Sequence, residues 1–488
     1  MRIFRTISVF TIAALTLLAT SCDYLDKDPE NSIPEKKVDF TNISNMYMPV
    51  SGVYAKLRTD GMHWIIQGLS VIRGGDLWSG RVDDQQSLVD YGNYKYDNTF
   101  WGLNTMWNNY YDMIRTANSA LISLDSYAAN IKDSTEMQTY RSYCGEVRFL
   151  RAFAYFRLVQ GFGPVTIVRD NQQVDLTRST VRAVNAYILQ DLQYAIDHCP
   201  RLRPNEMEHK GAVTAFSAEQ LAAKVYLDEG DYQKVKELTD DIINSGKFKL
   251  YDNYYELFKI PGKLCDESLF ECQCTDFGTG SGDMVDADQW FVFQGPANDG
   301  NISGWGFIGY YPAFRDWAKA RGETVRYTTS FLEKGETTPS GDYIKGSDNP
   351  TQTDCWNGKV YTPSNELTPG RTKYGSNNNI RILRYADVLL MNAEAKVRLG
   401  ENGDAPFNLV RDRAKMPELH NVTIDQILDE RRMEFCGEWG ERYQDLIRTG
   451  LANTVLKSKG WTTDKTYFPL PFDQLNNVPD LKNTPKDE

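Results

Sequence analysis

Apolar residues recur at intervals of three and four along several long segments of this chain, which is the spacing of one face of an α-helix. The stretches 107–121 and 136–162 show this pattern with a high content of aromatic residues. Gly163 and Pro164 end the second stretch, because neither residue continues a helix well. A further helix is predicted at 181–198, so the pattern indicates a mainly α-helical fold.

Later segments have the plan of two helices joined by a glycine turn. Ser217, with Gln220 three residues on, is typical of a helix start, and the turn at 230–232 separates this helix from a second one. The arrangement resembles a tetratricopeptide repeat, in which stacked hairpins bury a continuous core. We therefore expect a tetratricopeptide-like helical-hairpin scaffold, with repeats at about 107–250 and 383–415.

Two other segments, at about 60–105 and 275–380, show no clear helical period and are rich in Gly, Asp and Asn with scattered aromatic rings. Long loops within a compact protein are usually functional, and binding residues often lie on loops that a rigid scaffold holds in place. The sequence thus predicts a helical scaffold that carries an irregular, loop-rich ligand-binding layer.

The amino terminus has the features of a lipoprotein signal. Arg2 and Arg5 precede an apolar run at 9–19 that is too short to span a membrane, and small residues then precede Cys22. We expect cleavage before Cys22 and a lipid on that cysteine; an ordinary signal peptide with a chance cysteine is the alternative. The prediction divides the chain into a signal peptide at 1–21, a lipidated polar tether at 22–40 and one folded domain at 41–488.

Composition narrows the classes of function. Asp and Glu number 66 against 54 Lys and Arg, a formal net charge of −12 that disfavours nucleic acid and strongly anionic ligands but not neutral ones. The four histidines form no His-x-x-x-His pair and the cysteines form no Cys-x-x-Cys pair, so nothing indicates a zinc site. No nucleophile elbow or phosphate loop occurs, and we expect neither a cofactor nor catalysis.

A stretch rich in Glu and Arg lies near the carboxyl end. Glu434, Glu438 and Arg442 are spaced by four residues, which predicts one charged helix face. Arg448 is expected to pair with Glu438 or with a backbone carbonyl. We interpret this face as an ion-pair network; a pair of catalytic carboxylates for glycoside hydrolysis is the alternative.

Short motifs along most of the chain are similar to those of one protein family. They include Arg148 to Phe156, Gly304-Trp305-Gly306, Asn392 to Ala395 and Phe468 to Pro471, and the strongest is Asp429 to Phe435. Together they resemble the SusD/RagB family of outer-membrane nutrient-binding lipoproteins. Lys415 departs from the family pattern, which usually has glycine at that position.

This resemblance implies a lipid-anchored protein on the outer membrane that faces outside the cell. It would bind an oligosaccharide or polysaccharide and deliver it to a SusC-like TonB-dependent transporter. Two alternatives stay open. One is a helical-repeat adaptor that binds peptides or protein partners without glycan affinity, and the other is a glycan hydrolase.

Sugars bind by laying a ring face on an aromatic plane while polar side chains bind the hydroxyl groups. The loop-rich segments offer both kinds of residue. The candidate glycan-binding residues are Asp76, Trp78, Tyr91, Asn98, Trp101, Trp290 and Trp305. We expect at least one of these tryptophans to be exposed, whereas Trp107 and Trp317 should pack between helices; packing in the core is the alternative for each ring.

Overall fold

The computed structural model describes residues 38–274, 290–297, 302, 304–367 and 377–487. The predicted signal peptide, Cys22, most of the tether at 22–40 and parts of the loop segment at 275–380 lie outside these residues. Where the structure describes the chain, helices predominate, and the expectation of a mainly helical fold is confirmed. None of the helices in these ranges is both long and apolar enough to cross a membrane.

Helices follow one another through most of the chain. The first nine are α1 (Met48–Lys56), α2 (Trp64–Ile72), α3 (Gln86–Gly92), α4 (Trp101–Ala128), α5 (Ser134–Phe162), α6 (Val181–His198), α7 (Ala215–Glu229), α8 (Tyr232–Asn244) and α9 (Tyr254–Leu257). The later ones are α10 (Trp290–Gln294), α11 (Pro312–Ala320), α12 (Val325–Ser330), α13 (Tyr385–Arg398), α14 (Asp404–Arg413), α15 (Ile424–Glu434), α16 (Glu441–Arg448), α17 (Ala452–Leu456) and α18 (Phe472–Asn477).

Six short strands form three two-stranded antiparallel sheets in the described part of the chain. They are β1 (Leu77–Trp78), β2 (Ser268–Cys272), β3 (Gly309–Tyr310), β4 (Phe331–Glu333), β5 (Cys355–Asn357) and β6 (Ile380–Arg384). The sheets pair β1 with β3, β2 with β6 and β4 with β5. In the first, Leu77 lies opposite Tyr310, which brings the loop after α2 beside the segment that precedes α11.

The scaffold is a row of antiparallel helices in which α4, α5, α6, α7, α8, α13 and α14 each pack on the next. The longest, α5, begins at Asp133, whose carboxylate accepts hydrogen bonds from the N–H groups of Thr135 and Glu136 at 2.8 and 2.9 Å. It ends at Gly163, whose φ of +69° favours glycine. This row contains the helical hairpins that the sequence predicted.

The start of α7 differs from the prediction. Thr214 is the residue that caps the helix: its hydroxyl accepts from the N–H of Ser217 at 3.2 Å, and Ser217 completes the capping box. Gln220 instead lies inside the helix and donates to the carbonyl of Arg384 at 3.0 Å. The Thr-x-x-Ser pattern three residues upstream was the true start signal.

The segment 60–105 is less irregular than predicted, because it contains α2 and α3. In α2, seven of nine residues are buried, from Ile65 to Ile72. A helix that is buried on most sides shows no alternation of apolar and polar faces, so the periodicity that reveals amphipathic helices is absent.

The prediction that Glu434, Glu438 and Arg442 share one helix face is wrong. Helix α15 ends at Glu434, and the chain turns through Gly437 and Gly440, whose φ angles are +72° and +80°, before α16 begins. These glycines break the four-residue spacing that a continuous helix would have preserved.

The interpretation as an ion-pair network nevertheless fits the structure. Glu434 and Glu438 both bind the buried guanidinium of Arg384, at 3.1 and 2.7 Å, and Glu267 binds it at 2.6 Å. Burial acts to raise the pKa of Glu434, but Arg413, Arg384 and other cations outweigh it and lower that pKa to about 2. The carboxylate is therefore ionised and tied into the core.

Arg448 also has partners other than the predicted ones. Its guanidinium binds Glu394 at 2.5 and 2.7 Å and Asp445 at 2.7 Å, and it does not pair with Glu438. The ion pair with Glu394 ties α16 to α13. Arg448, like Arg384, therefore has a structural role.

The carboxyl-terminal segment returns across the amino-terminal half. The N–H of Phe468 donates to the carbonyl of Gly161 at 2.8 Å, and the N–H of Phe472 donates to the carbonyl of Asn98 at 2.9 Å. Farther on, the N–H of Thr180 donates to the carbonyl of Lys486 at 2.7 Å. Residues 468–486 thus contact α5 and the segments that lead into α4 and α6.

Candidate functional site

Four aromatic side chains meet where α2, α4 and the loop before β3 converge, and we call them the aromatic cluster: Trp64, Trp101, Trp305 and Phe307. Trp64 and Trp101 are the first residues of their helices, and their ring centroids lie 5.7 Å apart. The ring of Trp305 lies 5.4 Å from that of Trp64 and 5.2 Å from that of Phe307. The rings therefore form one continuous apolar surface.

This surface is partly open to solvent. Trp101 is 48% exposed, and Trp64 and Trp305 are half-buried. An indole of this size is normally covered in a soluble protein, so its exposure beside two other indoles is informative. The expectation that at least one of the candidate tryptophans is exposed is confirmed for Trp101.

Backbone hydrogen bonds fix the position of Trp305 and of its neighbours in the loop. The N–H of Trp305 donates to the carbonyl of Val292, and the N–H of Phe307 donates to the carbonyl of Phe293 at 3.0 Å. Between them, Gly306 adopts a φ of +66°, and a Cβ there would lie 2.3 Å from the side-chain oxygen of Gln352. The loop is thus fixed to α10. The ring of Trp305 is already in place before a ligand arrives, so binding does not have to order this loop.

A polar rim borders the rings. The guanidinium of Arg81 donates to the carbonyl of Trp305 at 2.6 Å and to the carboxylate of Asp83 at 2.9 Å. Asp83 also accepts from Asn349 at 3.1 Å and from Thr351 at 3.0 Å. The hydrogen bond from Arg81 is the main reason that the pKa of Asp83 is low, so this rim carries a paired cation and anion at neutral pH.

The imidazole of His63 lies beside Trp64 and Trp101, with centroid distances of 6.0 and 6.4 Å. Its Nδ1 accepts a hydrogen bond from the N–H of Ile65 at 3.3 Å, which caps α2. Burial lowers the pKa of His63, although Asp60 opposes that shift, so the ring is neutral at neutral pH. The surface of the cluster is therefore uncharged apart from the paired groups of the rim.

An uncharged aromatic surface with donors and acceptors at its edge suits a ligand with apolar ring faces and equatorial hydroxyl groups. Within the described ranges, no group of three or more His, Cys, Asp or Glu side chains has the arrangement of a metal site. The side chains of this site can bind a ligand by stacking on its rings and by hydrogen bonding to its polar groups.

Of the predicted site residues, Trp101 and Trp305 belong to the aromatic cluster. Trp78 lies near it: its ring stacks on Tyr311 at 5.4 Å, and its Nε1–H donates to the carbonyl of Tyr310 at 3.3 Å. Asp76 is buried and binds the guanidinium of Arg432, so its carboxylate serves an ion pair.

The other three predicted residues have structural partners. Tyr91 is buried, and its hydroxyl donates to the carbonyl of Asp97. Trp290 is buried against Trp439 and donates to the carbonyl of Met62 at 3.1 Å. Asn98 is half-buried and its carbonyl accepts the hydrogen bond from the carboxyl-terminal segment. None of the three belongs to the aromatic cluster.

Sequence reasoning did not select Trp64 or Arg81. Trp64 begins an apolar run of nine residues that reads Trp-Ile-Ile-Gln-Gly-Leu-Ser-Val-Ile, and recognising this run as a buried helix would have placed the ring at a helix start. The neighbouring Asp83 pairs with Arg81 locally, but nothing in the sequence indicated that Arg81 also binds the carbonyl of Trp305, which is 224 residues away. Trp107 is buried, and Trp317 is half-buried on Phe314 at 5.5 Å, as expected for rings that pack.

Comparison with protein-family models gives two matches. Residues 288–486 match the model described as "SusD family", and residues 23–227 match the model described as "Starch-binding associating with outer membrane". The two matches cover both halves of the chain and include all four residues of the aromatic cluster.

Individual relatives agree with these matches. A SusD-like protein of Bacteroides ovatus is 27% identical over 91% of this chain and 82% of its own length. A solved laminarin-binding SusD-like protein has a TM-score of 0.76 and 25% identity, over 88% of this chain and 97% of its own. Surface glycan-binding protein A from Bacteroides fluxus has a TM-score of 0.77 and 24% identity, over 91% and 98%.

Proposed function

This chain belongs to the SusD family, and on that premise we propose that its aromatic cluster binds a glycan at the outer membrane. The observation that carries the proposal is the half-exposed ring of Trp101, which continues the indoles of Trp64 and Trp305 into one surface. Sugar ring faces pack on such surfaces, and the rim around Arg81 and Asp83 supplies groups for hydroxyls.

The description of one matching family model supports association with the outer membrane. We place the lipid anchor at Cys22 and the body outside the cell, with the polar tether of residues 22–40 between them. The bound glycan would pass to a SusC-like TonB-dependent transporter. Anchoring, orientation and partner rest on the signal sequence and on the family resemblance.

The proposed role is binding without catalysis. A glycoside hydrolase needs one carboxylic acid that stays protonated near neutral pH and a second carboxylate at a defined distance across the sugar. Near the aromatic cluster, the carboxylate of Asp83 is held ionised by Arg81. Incubation with the bound glycan, followed by product analysis, tests this: shortened chains would contradict it.

The binding proposal is tested by replacing Trp101 with alanine and titrating the protein calorimetrically with glycans that bind the wild type in an array. We expect the affinity to fall by ~1–3 kcal/mol, by analogy with base stacking on aromatic side chains. The melting temperature should change little, because about half of the ring is already exposed.

Two tryptophans outside the cluster serve as controls. Trp107→Ala removes a buried ring and should cost ~3–5 kcal/mol of stability without a specific effect on the remaining folded protein's affinity. Trp317→Ala removes a half-buried ring like Trp305 and should leave binding of neutral glycans unchanged. If Trp101→Ala and Trp305→Ala both bind normally, the cluster is not the site.

A further inference from the structure

Two basic side chains, Arg442 and Lys459, lie against adjacent residues of the loop that joins α2 to β1. A Cβ on Gly74 would lie 3.1 Å from the Cβ of Arg442, and a Cβ on Gly75 would lie 3.5 Å from the Cε of Lys459. Arg442 comes from α16 and Lys459 from the segment after α17, so the fold brings them together from separate elements.

Neither cation has an ionic partner among the described residues. Arg442 makes no ion pair or hydrogen bond there, and its Nε is buried without an acceptor. Lys459 makes only a cation–π contact, with its Nζ 3.4 Å from the ring centroid of Tyr311. Asp76 lies near both, but Arg432 holds its carboxylate through Nε at 2.9 Å and through Nη2.

This arrangement is costly, because a cation that leaves water needs a compensating anion or hydrogen-bond acceptors. Burial lowers the pKa of Lys459 to about 8 and lowers the pKa of Arg442, while Asp76 opposes both shifts. Asp76, Asp429 and Asp445 act on Arg442 only from a distance. Asp76 is already held by Arg432, and Asp445 by Arg431 and Arg448, so neither cation has a carboxylate of its own in the described part of the chain. An incoming anion would relieve the cost at both cations.

The two cations lie next to aromatic rings and close to the aromatic cluster. Tyr311, under Lys459, stacks on Trp78 at 5.4 Å with an angle of 20° between the rings. Arg81 is three positions after Trp78, a span of at most about 11 Å, and it binds the carbonyl of Trp305. A bound oligosaccharide of a few units can therefore reach from one place to the other.

We propose that Arg442 and Lys459 form a basic subsite that receives one carboxylate or sulfate group of the bound glycan, with Trp78 and Tyr311 packing against the sugar that carries it. This inference rests on the proposed function, since the aromatic cluster holds the rest of the chain. It narrows the substrate to glycans with acidic units, although the net charge of the protein is −12. A densely charged polyanion is still disfavoured by that net charge.

The test uses starch, laminarin and xyloglucan oligosaccharides in three forms: neutral, with some primary hydroxyls oxidised to carboxylates, and with some sulfated. The wild type should bind at least one acidic form about tenfold or more tightly than its neutral parent, the size of one charge-assisted hydrogen bond. Raised salt should remove this preference without weakening the neutral form. Comparing the oxidised form with the sulfated form shows whether the subsite binds a carboxylate or a sulfate.

Lys459→Gln should abolish the preference and leave neutral binding unchanged. Lys457→Gln, at an exposed position two residues earlier, is the matched control and should behave as the wild type. Arg442→Gln should have the same effect as Lys459→Gln. If Arg442→Gln also lowers the melting temperature, the result for Lys459→Gln alone tests the proposal.

Equal affinity for acidic and neutral forms would overturn the basic subsite while leaving the glycan-binding proposal intact. Failure of every form to bind would overturn both. If Lys459→Gln binds all glycans normally but no longer copurifies with the transporter, the cations hold a carboxylate of a protein partner and the inference fails.

Discussion

Replacement of Glu146 by glutamine should change how the stability of this protein depends on pH. Glu146 lies in α5 and is 1% exposed. The hydroxyl of Tyr54 donates to its Oε2 at 2.8 Å, and that hydroxyl in turn accepts from the N–H of Val213 at 2.8 Å. Burial raises the pKa of Glu146 to about 8, against 4.5 for an ordinary glutamate, while the hydrogen bonds from Tyr54 and Tyr47 act to lower it.

The sign follows from proton binding. Between pH 4.5 and 8 the folded protein keeps a proton on Glu146 that the unfolded chain releases, so the contribution of Glu146 to stability is greatest below pH 4.5 and falls as the pH rises. Each pH unit costs about 1.4 kcal/mol, which gives a loss of up to about 5 kcal/mol by pH 8. Glutamine has nearly the same shape, accepts from Tyr54 and carries no charge, so Glu146→Gln does not suffer this loss.

The assay is urea unfolding of both proteins at pH 5, 7 and 9. We expect similar free energies of unfolding at pH 5 and a variant more stable by several kcal/mol at pH 9. Glu418→Gln, at an exposed position, controls for the general effect of removing a negative charge. A difference between variant and wild type that stays constant from pH 5 to pH 9 would refute a neutral Glu146.

Four further substitutions test the scaffold and the anchor. Arg384→Ala removes one of the buried cations that bind Glu267, Glu434 and Glu438 and should cost ~3–5 kcal/mol in denaturant unfolding. Ala393→Trp and Ala222→Trp force an indole into closely packed helices and should each lower stability by ~1–3 kcal/mol, seen as a lower melting temperature. Cys22→Ala should release the protein from membranes without changing its melting curve, and mass spectrometry of the wild type should find lipid on Cys22.

The sequence was most informative where helices have one buried face. Helix α6 has the predicted bounds, 181–198, and α5 begins two residues before the predicted 136. Although α5 is buried nearly all round over its second half, α6 shows its period because one side meets solvent. Helix α2 does not, since its neighbours cover it nearly all round, and so the same reasoning assigned its residues to a loop.

The candidate site was harder to predict than the scaffold. A loop tryptophan and a core tryptophan have the same sequence signal, and only tertiary partners separate them. Trp290 is a core residue because its Nε1–H donates to the carbonyl of Met62 and its ring packs on that of Trp439, and both partners belong to distant segments. Trp101 lies at a helix start where no distant segment covers its ring in this way, and it is exposed. Composition indicated the loop layer, but which rings are exposed depends on contacts with residues about 150 to 230 positions away in the sequence.

The return of residues 468–486 across the first half of the chain has a consequence for folding. In an open solenoid each repeat contacts only its neighbours, so repeats can fold in turn from one end. Here α5 and the turn before α6 complete their hydrogen bonds with Phe468 and Lys486, about 300 residues later. We expect a high contact order, slow folding and a single cooperative transition, in which the row of helices cannot settle before the late segment arrives.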